Sequence, residues 1–278
     1  DSMQVYRPLA VGTDKPTPEQ QARIPIHGID LIDFGPPMDA SEFAAYVHQR
    51  VAEIHSRGRC CVISGGTGLY HRAILHGLIE APSRNDDVRA KLRAERDSLG
   101  QPAMYARLQD IDPDAAARLH LSDRKRIIRA LEVYYETGET ITEHNRKTQE
   151  IPPRYYPVWF ALEDADRATL YERIDRRVEV MLEMGLLDEI RSLLEEGVPE
   201  KCTAMQAIGY KEFVDALQGR SSIETATALV QQASRKYAKR QLTWFRRNKQ
   251  IHWLRREAGE GTAEILQKAR QVLAEFDN

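Results

Sequence analysis

Residues 59–77 read RCCVISGGTGLYHRAILHG, and this stretch decides the fold class. Cys60 to Ile63 is a short apolar run with β-branched residues, which predicts a buried strand. Ser64-Gly65-Gly66-Thr67-Gly68 then predicts a sharp turn, and Leu69 to Leu75 a helix closed by Gly77. Strand, glycine turn and helix together open a βαβ unit and favour an α/β sheet.

Working outward, HGIDLID (27–33) predicts another strand, and Ser41 to Ser56 a helix opened by Ser41. APSRNDD (81–87) punctuates the chain. The polar, Ala-rich stretch from Val88 to Leu121 is poor in β-branched residues and predicts a helical insert. SDRKRIIRALEVYYETG (122–138) predicts a helix capped at Ser122 or Asp123 and stopped at Gly138, after which YYPVWFAL (155–162) restores the sheet. In the helix of 166–185, Leu170, Ile174, Val178 and Met181 form an apolar stripe that ends at Gly185. Ser221 and Glu224 stand at capping-box spacing before a long helix, and IHWL (251–254) predicts a last short strand. The expected organisation is an α/β core of residues 1–78 and 122–278 with a helical insertion at 79–121.

The 278 residues, 42% hydrophobic and 29% charged, suit a water-soluble globular chain. The longest apolar runs are far too short to span a bilayer, and nothing at the front reads as a secretory leader. Cys60 and Cys61 are adjacent and Cys202 is remote, a pattern of neither a disulfide framework nor a zinc motif. A reducing cytoplasm is the expected location. The net charge of −2 hides an asymmetry: from Gln231 to Arg256 there are nine Lys or Arg and no Asp or Glu, which leaves −11 for the remainder. That local stretch is a candidate phosphate-backbone surface.

Four features carry possible chemistry. The turn SGGTGLY (64–70) can point backbone N–H groups at an anion beside a helix N-terminus, with Thr67 adding a hydroxyl; it can equally be a plain structural turn. In DSMQVY (1–6), Asp1 can accept a proton from an amine or hydroxyl nucleophile and Gln4 can read a base edge, or Asp1 is simply a turn residue. Arg173 and Arg177, four apart beside the apolar stripe, can clamp a diphosphate or lie on a solvated charged face, to which Arg176 belongs. The rows Arg235/Lys239 and Lys236/Arg240, followed by Trp244 and Phe245, suit a folded RNA, and Lys125, Arg126 and Arg129 can extend that surface.

Seven runs in order resemble the tRNA dimethylallyltransferase (tRNA isopentenyltransferase) family: DSMQVYRPLAVGTDKPT, IPIHGIDLID, SGGTGLYHRAI, RKRIIRALEVYYETG, RIDRRVEVMLEMGLLDEI, AIGYKEF and SRKYAKRQLTWFRR. They cover nearly the whole chain. The resemblance implies a P-loop-kinase-like parallel sheet flanked by helices, with a helical insertion domain. It implies transfer of a dimethylallyl group from dimethylallyl diphosphate to N6 of the adenosine 3′-adjacent to the anticodon of tRNA. By position, Asp1 would be the general base, and Ser2, Met3 and Gln4 would line the pocket of the flipped adenine. Thr67 would sit near the bridging oxygen of the diphosphate and Arg177 would hold that group, typically with Mg2+. The tRNA anticodon stem-loop would meet Arg89, the stretch Lys125, Arg126, Ile127, Ile128 and Arg129, and the stretch Gln206, Ala207, Ile208, Gly209, Tyr210 and Lys211. A monomer is expected.

Pro8 and Lys125 depart from the family's usual residues without altering these roles. A larger departure is that the family places a strand and a G-x-T-x-S-G-K-T loop before DSMQ, whereas no G-x-x-x-x-G-K-[ST] occurs in this sequence. The expectation is an N-terminally incomplete core with impaired diphosphate binding. Two other readings stand beside the main one: an adenylate isopentenyltransferase acting on a free nucleotide, and a catalytically dead tRNA-binding remnant.

Overall fold

The computed structural model describes residues 1–78 and 85–276. Residues 81–84 of the APSRNDD punctuation therefore lie outside the described residues, while Asn85 caps the helix that follows through Asp87 N at 3.1 Å and Val88 N at 3.2 Å. In chain order the elements are α1 (Pro18–Arg23), α2 (Ala40–Ser56), α3 (Gly68–His76), α4 (Asp86–Leu99), α5 (Gln101–Ile111), α6 (Pro113–Arg118), α7 (Arg124–Thr137), α8 (Ile141–Glu150), β1 (Trp159–Asp164), α9 (Arg167–Glu183), α10 (Leu186–Glu195), a 3₁₀ turn (Ala204–Gln206), α11 (Tyr210–Leu217), α12 (Ile223–Phe245), β2 (Ile251–Arg256) and α13 (Thr262–Ala274). Two compact units result: residues 1–71 with 156–278, and residues 72–155.

In the first unit β1 and β2 pair in parallel, from Trp159 opposite Ile251 to Asp164 opposite Arg256. Parallel neighbours need a long crossover, here α9 to α12. The apolar stripe of α9 turns inward as read, with Val178 buried and Leu170, Ile174 and Met181 half-buried, and α9 packs on α12 and α10. Gly185 takes φ +93°, a conformation open mainly to glycine, and so breaks α9 from α10.

Two expected strands do not form. Cys60 to Ile63 has no regular structure and no strand partner among the described residues, with Val62 85% exposed and Ile63 42% exposed. An apolar run becomes a buried strand only when neighbours take its backbone hydrogen bonds and cover its faces, and no described residue does so. HGIDLID is irregular, with a single bridge between Tyr6 and Ile32. Asp30 there has φ +55°, which interrupts the extended path. The helix starts also shift. Asp39, not Ser41, caps α2 in a box with Glu42. Ser222, not Ser221, caps α12, accepting from Thr225 N.

The second unit is helical. Leu92, Met104, Leu108, Ala115, Ala116, Ile127, Ile128, Ala130 and Leu131 form one core. It reaches beyond the expected 79–121 because α7 sends its apolar face into that same core and α8 packs on α6 and α7.

Candidate active site

The arm of residues 1–15 is neither helix nor strand, so its backbone carbonyls need side-chain partners. They find them. Lys15, its side chain 9% exposed, donates from Nζ to Tyr6 O at 2.6 Å, Arg7 O at 2.8 Å and Asp30 Oδ1 at 2.5 Å. Gln4 Nε2 donates to Thr13 O at 3.0 Å and Asp14 O at 2.9 Å. Further along, Glu189 of α10 accepts from Ala10 N at 3.0 Å and Val11 N at 2.7 Å, and also accepts a hydrogen bond from the Tyr210 hydroxyl. Burial, together with the Glu189 carboxylate, pushes the Tyr210 phenol well above its ordinary value. Gly12 permits this knot, since a Cβ there would stand 2.5 Å from the Tyr210 ring.

At the start of the arm Asp1 is exposed and its Oδ1 accepts Met3 N–H at 2.7 Å, which turns the carboxylate back over its own chain. Ser2 and Met3 are half-buried. The backbone nitrogen of Asp1 lies 3.7 Å from where a Gly65 Cβ would stand, so the arm abuts the glycine turn.

The turn is held by side chains in the same way. His71 Nε2 donates to Gly65 O at 2.9 Å, and Gln241 Nε2 to Gly66 O at 3.2 Å. A carbonyl only accepts, so His71 carries its proton on Nε2. Burial lowers the His71 pKa below the ordinary 6.5, and its ring packs against Trp159 at 5.5 Å and Phe245 at 5.8 Å. A Cβ on Gly66 would collide with the Gln241 amide, and one on Gly68 would stand 2.5 Å from the Trp244 ring. These glycines therefore serve close packing by α12 as well as the turn. Thr67 is half-buried, and its carbonyl starts α3 by accepting Tyr70 N at 2.9 Å.

Arg173 and Arg177 do not act as one clamp. Arg173 pairs with Asp164 at 3.1 Å, a carboxylate 5% exposed that Arg256 also binds at 2.7 Å. Arg177 instead faces Asp14 at 3.1 Å. Arg176 binds Glu179 at 2.9 Å on the outer face, as its rotation predicted. Asp1, Gln4, Thr67 and Arg177 thus belong to one unit, with Gln4 and Arg177 both attached to Asp14.

Several expected RNA-contacting side chains are turned inward. Tyr210 and Ile127 are 0% exposed and Ile128 is 6% exposed, because each fills a core. Arg89 and Arg129 pair with the buried Glu132 at 2.8 Å and 3.1 Å, so both guanidinium groups are held by a carboxylate inside the second unit. Lys125, Arg126, Gln206 and Lys211 are exposed, Ala207 and Ile208 half-buried, and Gly209 opens α11 at φ +99°. On α12 the first row loses a member, since Arg235 pairs with Asp175 at 2.5 Å; Lys236, Lys239 and Arg240 remain exposed. Phe245 is half-buried beside His71 instead of facing outward. Lys15, Glu189, His71 and Gln241 have no sequence signal as site-builders, because each acts on a carbonyl or amide distant in sequence.

The family model described as "IPP transferase" matches residues 4–248. The chain is 43% identical to tRNA dimethylallyltransferase 1 of Pelobacter propionicus over 100% of this chain and 88% of that protein. It is 37% identical to the crystal structure of the tRNA isopentenylpyrophosphate transferase of Bacillus halodurans, with TM-score 0.71, over 100% of this chain and 86% of the other. A eukaryotic dimethylallyltransferase acting on tRNA superposes with TM-score 0.79 at 25% identity, over 99% of this chain and 72% of the other. These likenesses show a P-loop-kinase-like α/β core with a helical insertion. With the family model spanning most of the sequence and relatives aligned along nearly all of it, the chain belongs to the IPP transferase family.

Proposed function

We propose that this chain is a tRNA dimethylallyltransferase, moving a dimethylallyl group from dimethylallyl diphosphate to N6 of the adenosine 3′-adjacent to the anticodon. The observation that carries the reading is the meeting of the Asp1 arm with the glycine turn that bears Thr67, in a chain whose relatives carry that name. The new bond joins N6 to the allylic carbon, the carbon–oxygen bond to the diphosphate breaks, and the N6 proton passes to the Asp1 carboxylate. An exocyclic amine is a poor nucleophile, so removing its proton as the bond forms favours attack. Charge developing on the leaving diphosphate is met by Arg177 and by the Thr67 hydroxyl.

Ser2, Met3 and Gln4 line the adenine pocket. The anticodon stem-loop suits the exposed cations: Lys125 and Arg126 on the helical unit, and Lys236, Lys239 and Arg240 on α12. Lys211, at the start of α11, and Gln206, at the end of the 3₁₀ turn before it, belong to the same role. Among the described residues no group of three or more His, Cys, Asp or Glu can hold a metal ion, so the side chains do not form a Mg2+ cage of their own. Mg2+, where bound, would neutralise charge on the leaving diphosphate. Among the described residues no helix is long and apolar enough to cross a membrane. A cytoplasmic monomer fits the reading.

The test incubates the full chain with dimethylallyl diphosphate and an anticodon stem-loop RNA, with mass spectrometry of the digested RNA. The expected result is dimethylallyl on the adenosine 3′ of the anticodon, and none on AMP. Transfer to AMP alone points to a free-nucleotide enzyme. RNA binding without any transfer points to a binding remnant.

A further inference from the structure

Asp14 is pinned from two sides by its backbone. Its N–H donates to Val11 O at 3.1 Å, and its carbonyl accepts Gln4 Nε2 at 2.9 Å. Its φ is +53°, a left-handed conformation uncommon outside glycine and best tolerated by Asn and Asp. With the backbone fixed, the carboxylate is aimed at α9, where its Oδ2 meets Arg177 Nη2 at 3.1 Å. Both side chains are open to solvent, 65% exposed for Asp14 and 54% for Arg177, so an anion can reach the guanidinium from outside. Asp14 lies outside the core, with its carboxylate paired to Arg177 on the open side of the arm.

We propose that Asp14 is a built-in competitor for the anion that Arg177 binds, a residue that sets the affinity for the donor diphosphate. A diphosphate carries more negative charge than one carboxylate and offers several oxygens to a guanidinium fork, so it displaces Asp14. The displaced carboxylate can turn only about its own side-chain bonds, because Gln4 and Val11 hold its backbone in place. It stays beside the bound diphosphate and repels it. The same geometry favours release of inorganic diphosphate after transfer, since Asp14 reclaims Arg177. This inference rests on the reading of Arg177 as the residue that holds the diphosphate.

The test is a double-mutant cycle on the full chain, with inorganic pyrophosphate as the probe and titration calorimetry as the readout. Asp14→Asn keeps the shape and tolerates the left-handed backbone while removing the charge; Asp14→Gly is the second variant and removes the side chain without strain. Both are expected to tighten pyrophosphate binding by roughly 2- to 5-fold, the range that an exposed ion pair supports. The gain is expected to vanish when Arg177→Ala is also present. Weaker binding in Arg177→Ala, with both Asp14 variants equal to or weaker than the parent, overturns the competitor and leaves the role of Arg177 standing. An Arg177→Ala variant that binds pyrophosphate as well as the parent overturns the diphosphate reading of Arg177 and the inference with it.

Discussion

In the first unit, Lys15, Gln4, His71 and Gln241 are all directed at backbone carbonyls of the arm and the glycine turn. In the helical unit, Arg89 and Arg129 are directed instead at one buried carboxylate, Glu132. The contrast follows from the backbone. A helix satisfies its own interior N–H and C=O groups, so its polar side chains are free to tie one helix to another. Here they join α4 to α7. An irregular arm has no such ladder, and every carbonyl it buries needs a donor from elsewhere. A site built on irregular backbone therefore depends on residues that never touch a substrate.

The sharpest way to separate touching from holding is Asp1→Asn. Loss of a general base is expected to lower the transfer rate by about 10²- to 10⁴-fold. Stem-loop binding and unfolding midpoint are expected to stay near the parent's, since the Asn Oδ1 still accepts Met3 N–H. A rate within tenfold of the parent removes Asp1 from the chemistry. Glu132→Ala probes the other region. It leaves two guanidinium groups without their shared carboxylate, and removing one partner of a buried pair costs about 3 to 5 kcal/mol. The lower end is expected here, because Arg89 and Arg129 keep 21% and 31% side-chain exposure. Chemical denaturation measures it, and a loss under 1 kcal/mol contradicts the clamp.

Lys15→Met tests the arm in the same currency. The thioether keeps most of the stem's packing but takes the donor from Tyr6 O and Arg7 O. A buried acceptor left unsatisfied costs about 1 to 3 kcal/mol, and the lower end is expected here because Tyr6 O keeps the N–H of Leu9 at 3.3 Å and Arg7 O is open to water. Because the arm carries Asp1 and Gln4, activity is expected to fall more than stability does, with kcat affected at temperatures where the chain is still folded. A loss of stability with kcat unchanged breaks the comparison, for then the arm is positioned by something other than its carbonyl donors.

The same contrast explains what could be read in advance. The helices of 41–56, 122–138 and 166–185 were legible because caps, stops and apolar stripes act within a few residues, and they formed to within a residue or two. Cys60 to Ile63 was misread because a strand depends on partners distant in sequence, and Val62 lies open instead. Among site residues, the turn and the DSMQ arm were visible as motifs, and Asp14's attachment to Arg177 was not. The inward turn of Tyr210, Ile127 and Ile128 was hidden too, since a motif marks a segment without saying which of its side chains face the core.

The smallest expected effect lies at His71. Burial lowers its pKa in the folded chain below the ordinary 6.5, so the folded state favours the neutral ring. For a histidine shifted this way, the contribution to stability is full above the unfolded value and is lost as pH falls through 6.5 toward the folded value. The loss is modest for a structural reason. Protonation adds a hydrogen at Nδ1, while the Nε2–H bond to Gly65 O survives in both forms. What remains is the cost of burying a charged ring beside Trp159 and Phe245, with a smaller repulsion from the ammonium of Asp1. His71→Gln offers an amide donor that does not titrate. Unfolding midpoints taken between pH 7.5 and 5 are expected to fall more steeply for the parent than for this variant. Parallel slopes show that the ring titrates as it does in the unfolded chain, and then burial at the glycine turn is not what holds His71 neutral.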